Sequence, residues 1–218
     1  QSYSVTDPAT TTVPYSETFD ASLGECYIYT VAGTKPWLWV TNSASANGYN
    51  GSNPEEQWLV LPGINFNAQA AERMTFTSYV RYGTVDANNY LKLFYSSDYP
   101  GLGTPTGYTW NELSFTSPIT GAVGSTELSA PSGELDLSSV TGTSVYLAFK
   151  YYSTNSPSLW RVDNISIYQA TPLITVAPST LSGFTYAHQA GPSNEQSFTV
   201  SGADLQGNIS ITPPAEYE

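Results

Sequence analysis

The chain has 218 residues, of which 40% are hydrophobic and 14% aromatic, enough apolar material for one sandwich-sized domain and part of another. Only 11% are charged, and six Lys and Arg against eighteen Asp and Glu leave a formal charge of -12, which disfavours nucleic acid and anionic membrane surfaces as partners. A single cysteine, Cys26, excludes an intramolecular disulfide, and a single histidine, His188, leaves no Cys and His set for zinc. Polar residues that are mainly Ser, Thr, Asn and Gly suit an exported protein. No apolar run approaches the roughly 20 residues of a transmembrane helix, so no membrane insertion is expected. Residue 1 is expected to follow a removed signal peptide or a cloning boundary.

Helical periodicity is almost absent. Short runs rich in Val, Ile, Thr, Tyr and Phe recur between clusters of Gly, Pro, Asn and Ser, which predicts an all-β chain. Strands are expected in order at 15–19, 25–31, 38–42, 57–62, 73–82, 90–97, 111–117, 133–139, 144–153 and 160–169. Ten strands at this spacing make a two-sheet sandwich, with 73–82 and 144–153 long enough to be central.

The opening strand carries a parity problem, because Glu17 shares a face with Tyr15 and Phe19. The closing strand repeats it. Counting alternate residues, Ile165 and Ile167 share a face with Arg161 and Asp163. An unpartnered carboxylate facing an apolar core costs several kcal/mol, so each acid needs company. First and last strands of a jelly roll commonly lie near each other, so Glu17 and Asp163 are expected to converge at one rim, with Asp20 and Asn164 as further oxygen donors. Parity leaves three ways to neutralise them: a bound Ca²⁺ with its 6–8 oxygen ligands, the Arg161 guanidinium or a solvated rim, and a catalytic dyad. The dyad lacks any sign of a cleft.

Between the two ends, Trp37 and Trp39 fall on one side of a strand. Trp37 follows Pro36 at the strand's start and is expected to be exposed, a candidate ligand-binding ring, whereas Trp39, Trp58 and Phe149 are expected in the core. Glu55 and Glu56 read as a solvated turn, with a second cation site as the minor alternative. Cys26 reads as a small buried hydrophobe. His188 lies in a Gly-rich segment with no nucleophile elbow anywhere in the chain, and reads as a loop residue.

A boundary is expected within 169–178, where two prolines bracket a new apolar run, giving a first domain over 1–170 and a second segment over 171–218. Strands at 174–178, 196–202 and 207–214 are too few to bury an independent core. The segment is therefore expected to be an incomplete sandwich or a flap on the first domain, and Pro213, Pro214 and the end at Glu218 favour truncation.

The order of these pieces resembles the cleaved adhesin and choice-of-anchor J (MAM-like) families of Bacteroidetes secreted and surface proteins. The matching elements are ETFD (17–20), LWV (38–40), EQWLVLPGINF (56–66), MTFTSYVRYG (74–83), YLKLFYSSDY (90–99), WNEL (110–113), ELDLSSVTGTSVYLAFKYYS (134–153) and WRVDNISI (160–167). The family's frequent Asn-Asp before the aromatic is Glu56-Gln57 here. The resemblance implies a non-catalytic jelly-roll β-sandwich, often calcium-stabilised, with the opening Glu at Glu17 and the closing-strand Asp at Asp163. SGADLQGNISITPP (201–214) looks like the first part of an Ig-like repeat.

The functional expectation is thus an adhesion or substrate-binding module of a larger bacterial protein, secreted or on the outer cell surface. It would be monomeric and would meet a host or dietary glycan or a protein. The alternatives are a carbohydrate-binding accessory domain of a polysaccharide-degrading protein and, from the enzyme class, a jelly-roll glycoside hydrolase or lyase.

Overall fold

In the segment ERMTFTSYVR, residues 72–81, apolar and polar side chains alternate, and a strand with one dry face is the structure this period dictates. A computed structural model of the chain describes residues 10–68, 70–205 and 207–212. In it Met74, Phe76, Ser78 and Val80 are buried while Arg73, Thr75, Thr77 and Tyr79 are half-buried on the other side. No helix of the described residues is long and apolar enough to cross a membrane.

The chain divides into two compact units, Gln1–Gln169 and Ala170–Glu218. In the first, the principal strands in chain order are β1 (Tyr15–Glu17), β2 (Tyr27–Ala32), β3 (Leu38–Trp39), β4 (Ala44–Asn47), β5 (Glu55–Val60) and β6 (Glu72–Arg81). They continue with β7 (Asn89–Ser96), β8 (Asn111–Leu113), β9 (Leu128–Pro131), β10 (Leu135–Asp136), β11 (Tyr146–Ser153) and β12 (Leu159–Gln169). One sheet has five strands in the order β8-β7-β11-β5-β2. The other has seven, in the order β9-β6-β12-β4-β3, with β10 pairing β6 and β1 pairing β12. Every principal pairing is antiparallel. The result is an all-β jelly-roll sandwich whose first and last strands are neighbours.

The core between the sheets is built from their inward faces: Leu59 and Leu61, Leu91 and Leu93, Leu147, Phe149 and Tyr151 from one side, Met74, Phe76, Trp160, Val162, Ile165 and Ile167 from the other. Phe76 meets Phe149 and Phe115 edge-on, at 4.9 and 5.0 Å between centroids, the arrangement aromatic quadrupoles favour. A second cluster lies on the outer face of the five-stranded sheet, where Trp58, Tyr99, Tyr146 and Trp110 pack together. Trp58 is buried in that cluster and not in the inter-sheet core.

Strand β4 was not expected, because Ala-Ser-Ala-Asn carries no β-branched or aromatic residue. Its reason is packing. Ala44 and Ala46 are fully buried beside Trp160 and Val162, and only small side chains leave room there for those neighbours.

The parity problem of β12 resolves as a β-bulge. Asp163 pairs with Thr77 and Ser166 with Thr75, three steps along one strand against two along its partner, so one extra residue is inserted. Asn164 holds the insertion at φ 53°, a left-handed conformation that Asn tolerates better than most residues. Trp160 and Val162 before the bulge and Ile165 and Ile167 after it therefore all face the core, and Asp163 is left on the outer side with Arg161. The expectation that Asp163 shares a face with the isoleucines is corrected: the bulge shifts the alternation by one.

In the second unit Leu173–Ala177 pairs antiparallel with Thr199–Ala203, and Tyr186–Ala187 with Gly191–Pro192. The expected strand at 207–214 is not formed over the described residues 207–212, where Ile209 and Ile211 are exposed. Pro213, Pro214 and Glu218 lie outside the described residues.

Because the bulge needs a left-handed residue, Asn164→Gly should keep the stability of the parent, while Asn164→Val should lose about 1–3 kcal/mol. Urea denaturation measures both; a Val variant as stable as the parent would contradict the bulge.

Candidate functional site

At the expected acidic rim, Glu17 lies opposite Ile165, accepts the Phe19 amide proton at 2.7 Å and packs under Gly24, where a Cβ would collide with its carboxylate. Asp163 accepts from the Asn164 amide at 2.7 Å and from its side-chain nitrogen at 3.1 Å. Burial raises the Asp163 pKa, the Asn164 N–H opposes that, and the charge of Asp20 raises it further. The charge of Arg161 acts the other way and lowers it. Among the described residues no three His, Cys, Asp or Glu side chains gather into a group able to hold a metal ion. Arg161 turns to another acid: its guanidinium pairs with Glu127 in a two-point contact and stacks on the Tyr79 ring, 4.7 Å from its centroid.

The exposure expected of Trp37 falls on Trp39 instead. Trp37 is 1% exposed, a core side chain, because the chain enters the sheet edge with this ring turned inward; Trp39, expected in the core, is 42% exposed. The strand there is only two residues long and lies at the sheet edge, and the Trp39 indole N–H donates to the Phe19 carbonyl oxygen. Phe149 is in the core as expected. Cys26 is half-buried against the core, and burial, then the charges of Glu17 and Glu25, push its thiol pKa up, which keeps it protonated and a poor nucleophile. His188 lies exposed in the turn between the two short strands of the second unit.

A site that parity did not select lies at the end of the sandwich where β4, β6 and β11 finish. Asn47, Tyr49, Tyr82, Gly83, Ser156 and Pro157 line an open cleft of about 580 Å³. Tyr49 is 67% and Tyr82 43% exposed, so two rings face solvent across it. Their backbone is unusual. Tyr82, Ser156 and Asn50 have φ of 64°, 47° and 55°, conformations that cost non-glycine residues about 1–3 kcal/mol each and persist only where surroundings enforce them. Gly83, also left-handed, touches the Ser156 and Pro157 carbonyls so closely that any Cβ would collide with them. The turn is stitched to its neighbours by Tyr82 N–H to Gly124, Thr84 N–H to Ser156, and Ser158 Oγ–H to Thr84 carbonyl oxygen. Beneath it the buried Tyr151 hydroxyl donates to the Ser158 carbonyl and accepts from Gly48 N–H at 2.8 Å.

Glu55 holds the third loop. It was expected in a solvated turn and is instead 1% exposed. Its carboxylate accepts the amide protons of Thr34, Lys35 and Ser52 and a proton from the Gln57 side chain, at 2.6–3.0 Å. Those donors explain the burial of a charge that would otherwise be prohibitive. Burial opposes ionisation, but the four donors outweigh it and hold the Glu55 carboxyl below the usual range. Gly33 and Gly51 allow this approach, since a Cβ on either would collide with the carboxylate. Glu55 thereby ties loop 48–52, which carries Tyr49, to loop 33–35. Glu56 points away and pairs with Lys150 at 2.9 Å.

Glu55→Ala strands at least three backbone N–H groups and should cost about 3 kcal/mol or more at pH 7 in urea denaturation. The folded pKa lies below the unfolded value of about 4.3, so this contribution should be constant above about pH 5 and vanish as pH falls through the folded value. A gap between parent and Glu55→Gln that is unchanged down to pH 3 would contradict it.

With this geometry in hand, comparison with solved structures adds likenesses of fold. The K1 cleaved adhesin domain of Lys-gingipain from Porphyromonas gingivalis superposes with TM-score 0.47 at 14% identity, over 73% of this chain and 99% of that one. The K2 cleaved adhesin domain of Lys-gingipain gives 0.49 at 15%, over 72% and 99%. The N-terminal cellulose-binding domain of a Cellulomonas fimi β-1,4-glucanase gives 0.41 at 16%, over 72% and 95%. At such scores they carry no functional conclusion. No curated protein matches the chain. The profile of the family described as Domain of unknown function (DUF5017) matches residues 64–187, more than half of the chain, and the chain belongs to that family.

Proposed function

We propose that this protein is an extracellular, non-catalytic binding module of a larger bacterial protein, and that its ligand is a polysaccharide chain lying in the cleft between Tyr49 and Tyr82. The observation that carries this reading is two solvent-facing tyrosines at one cleft, Tyr82 itself on left-handed backbone and Tyr49 beside the left-handed Asn50. Aromatic rings lose little entropy on contact and match the apolar faces of sugar rings, while Asn47 and the loop carbonyls offer hydrogen bonds to hydroxyls. Rigid presentation lowers the ordering cost of binding. Neither the histidine nor the cysteine is among the residues that line this cleft, which are Asn47, Tyr49, Tyr82, Gly83, Ser156 and Pro157. Kinship with cleaved adhesin and choice-of-anchor J modules belongs to the same proposal.

Adhesion to a protein is the second reading. It is favoured by the exposed apolar edge of Leu38, Trp39 and Val40. Calcium at the rim of Asp20 and Asp163 is proposed as a weak site, at the millimolar end of the range, since no three acids gather there among the described residues and Asp163 already accepts two N–H bonds.

A soluble glycan panel read by affinity electrophoresis should give binding to at least one polysaccharide. Tyr49→Ala and Tyr82→Ala should each weaken it about tenfold, equivalent to about 1.4 kcal/mol, without lowering Tm. A panel without hits, or binding indifferent to both changes, would contradict the proposal. For calcium, EDTA should leave Tm unchanged and about 10 mM Ca²⁺ should raise it; no response to added Ca²⁺ would remove the site.

A further inference from the structure

The chain has six basic residues, and four of them are spent on carboxylates. Arg73 pairs with Glu134 and Asp136, Lys92 with Glu112, Lys150 with Glu56 and Arg161 with Glu127. Among the described residues Lys35 and Arg81 have no carboxylate partner. In a chain of net charge -12, with three acids for every base, two cations left without an acid is an unexpected economy.

Both border the same surface. The strand register sets Arg81 beside Leu159 and Leu159 beside Asn47, so the three stand in one row across β6, β12 and β4, about 5 Å apart from strand to strand. Lys35 lies beyond Asn47, lining a shallow groove with Asn47, Leu159, Leu38 and Val40. Asn47 also lines the tyrosine cleft, so groove and cleft adjoin at this residue. At the other side the Arg81 guanidinium stacks on Tyr82, 4.4 Å from the ring centroid, while its Nε–H donates to the Ser125 carbonyl oxygen. That contact fixes the guanidinium plane, and among the described residues its terminal nitrogens meet no carboxylate. Lys35 is positioned by its own backbone, whose amide is held by Glu55.

Resting on the polysaccharide reading above, we infer that the ligand is an anionic polysaccharide. Its rings pack on Tyr49 and Tyr82, and its carboxylates or sulfate esters meet Lys35 and Arg81 at either side of Asn47. A guanidinium offers a planar fork that matches either anion, and an ammonium a point charge. Glu127 also lines the surface beside Arg81, but its charge is paired with Arg161, and the excess negative charge elsewhere does not forbid the binding. At physiological ionic strength the Debye length is about 8 Å, so contacts within the cleft persist while distant repulsion is screened. That background favours discrimination, since a polyanion gains only where the two cations are reached.

The test uses two matched polymer pairs in calcium-free buffer at about 0.15 M salt: polygalacturonate against its fully methyl-esterified form, and dextran sulfate against dextran. Isothermal titration should show at least one charged member bound about tenfold or more tightly than its neutral partner, about 1.4 kcal/mol. The pair that responds tells carboxylate from sulfate. A Lys35→Gln, Arg81→Gln double variant should lose that preference at unchanged Tm, and Lys92→Gln, on the opposite sheet, should keep it. Equal binding of charged and neutral partners, or a double variant with its preference intact, overturns the inference while polysaccharide binding stands. Binding only to neutral chains such as xylan does the same. Binding to no polysaccharide overturns the reading beneath it as well.

Discussion

The carboxylate of Glu55 is the contact on which the loop end of this sandwich depends. A buried charge is tolerated only if its oxygens are filled, and here the donors are supplied by two separate loops and a neighbouring side chain. Neither loop alone fills the acceptor sites of the carboxylate. Together they converge on one acceptor, and the glycines at 33 and 51 are what let the backbone come close enough. The Tyr151 hydroxyl does the same for the segments around Gly48 and Ser158. Three loops that sequence would class as flexible thus have one arrangement.

That rigidity gives the exposed tyrosines their meaning. Exposed aromatic rings on mobile loops are common and say little. Tyr82 sits on left-handed backbone, under a stacked guanidinium, next to a glycine packed against two carbonyls. Strain of this kind survives only where the surroundings over-determine it, and it lies at the surface where a ligand would meet it. The outer face of the five-stranded sheet offers a contrast. Tyr90 and Tyr152 stack there at 5.3 Å, but the adjacent Lys92 and Lys150 are each paired with an acid, so the charges are already satisfied within the protein.

Much of the fold was legible in the sequence. The length of the runs 73–82 and 144–153 marks the two central strands, alternation over 72–81 gives the first its dry face, and the absence of helical period settles the class. The site was not. Parity counting fails where a bulge inserts a residue, and nothing in WRVDNISI shows that Asn164 will turn left-handed except the tolerance of Asn for that region. Trp37 and Trp39 exchanged places because a two-residue edge strand obeys its neighbours more than its own period. The cleft was hidden because Asn47, Tyr82 and Ser156 are over a hundred positions apart from end to end and only the register of β4, β6 and β12 brings them together. One local signal was available: a Tyr-Gly pair at the end of a long strand, with Gly48 and Gly51 close before Glu55.

The account turns on where a ligand sits. Backbone ¹H–¹⁵N spectra of the labelled protein, titrated with a bound oligosaccharide, locate it directly. The shifts should concentrate on Asn47–Gly51, Arg81–Thr84 and Ser156–Leu159. Shifts confined to the other sheet, around Tyr90, Lys150 and Tyr152, would contradict the account.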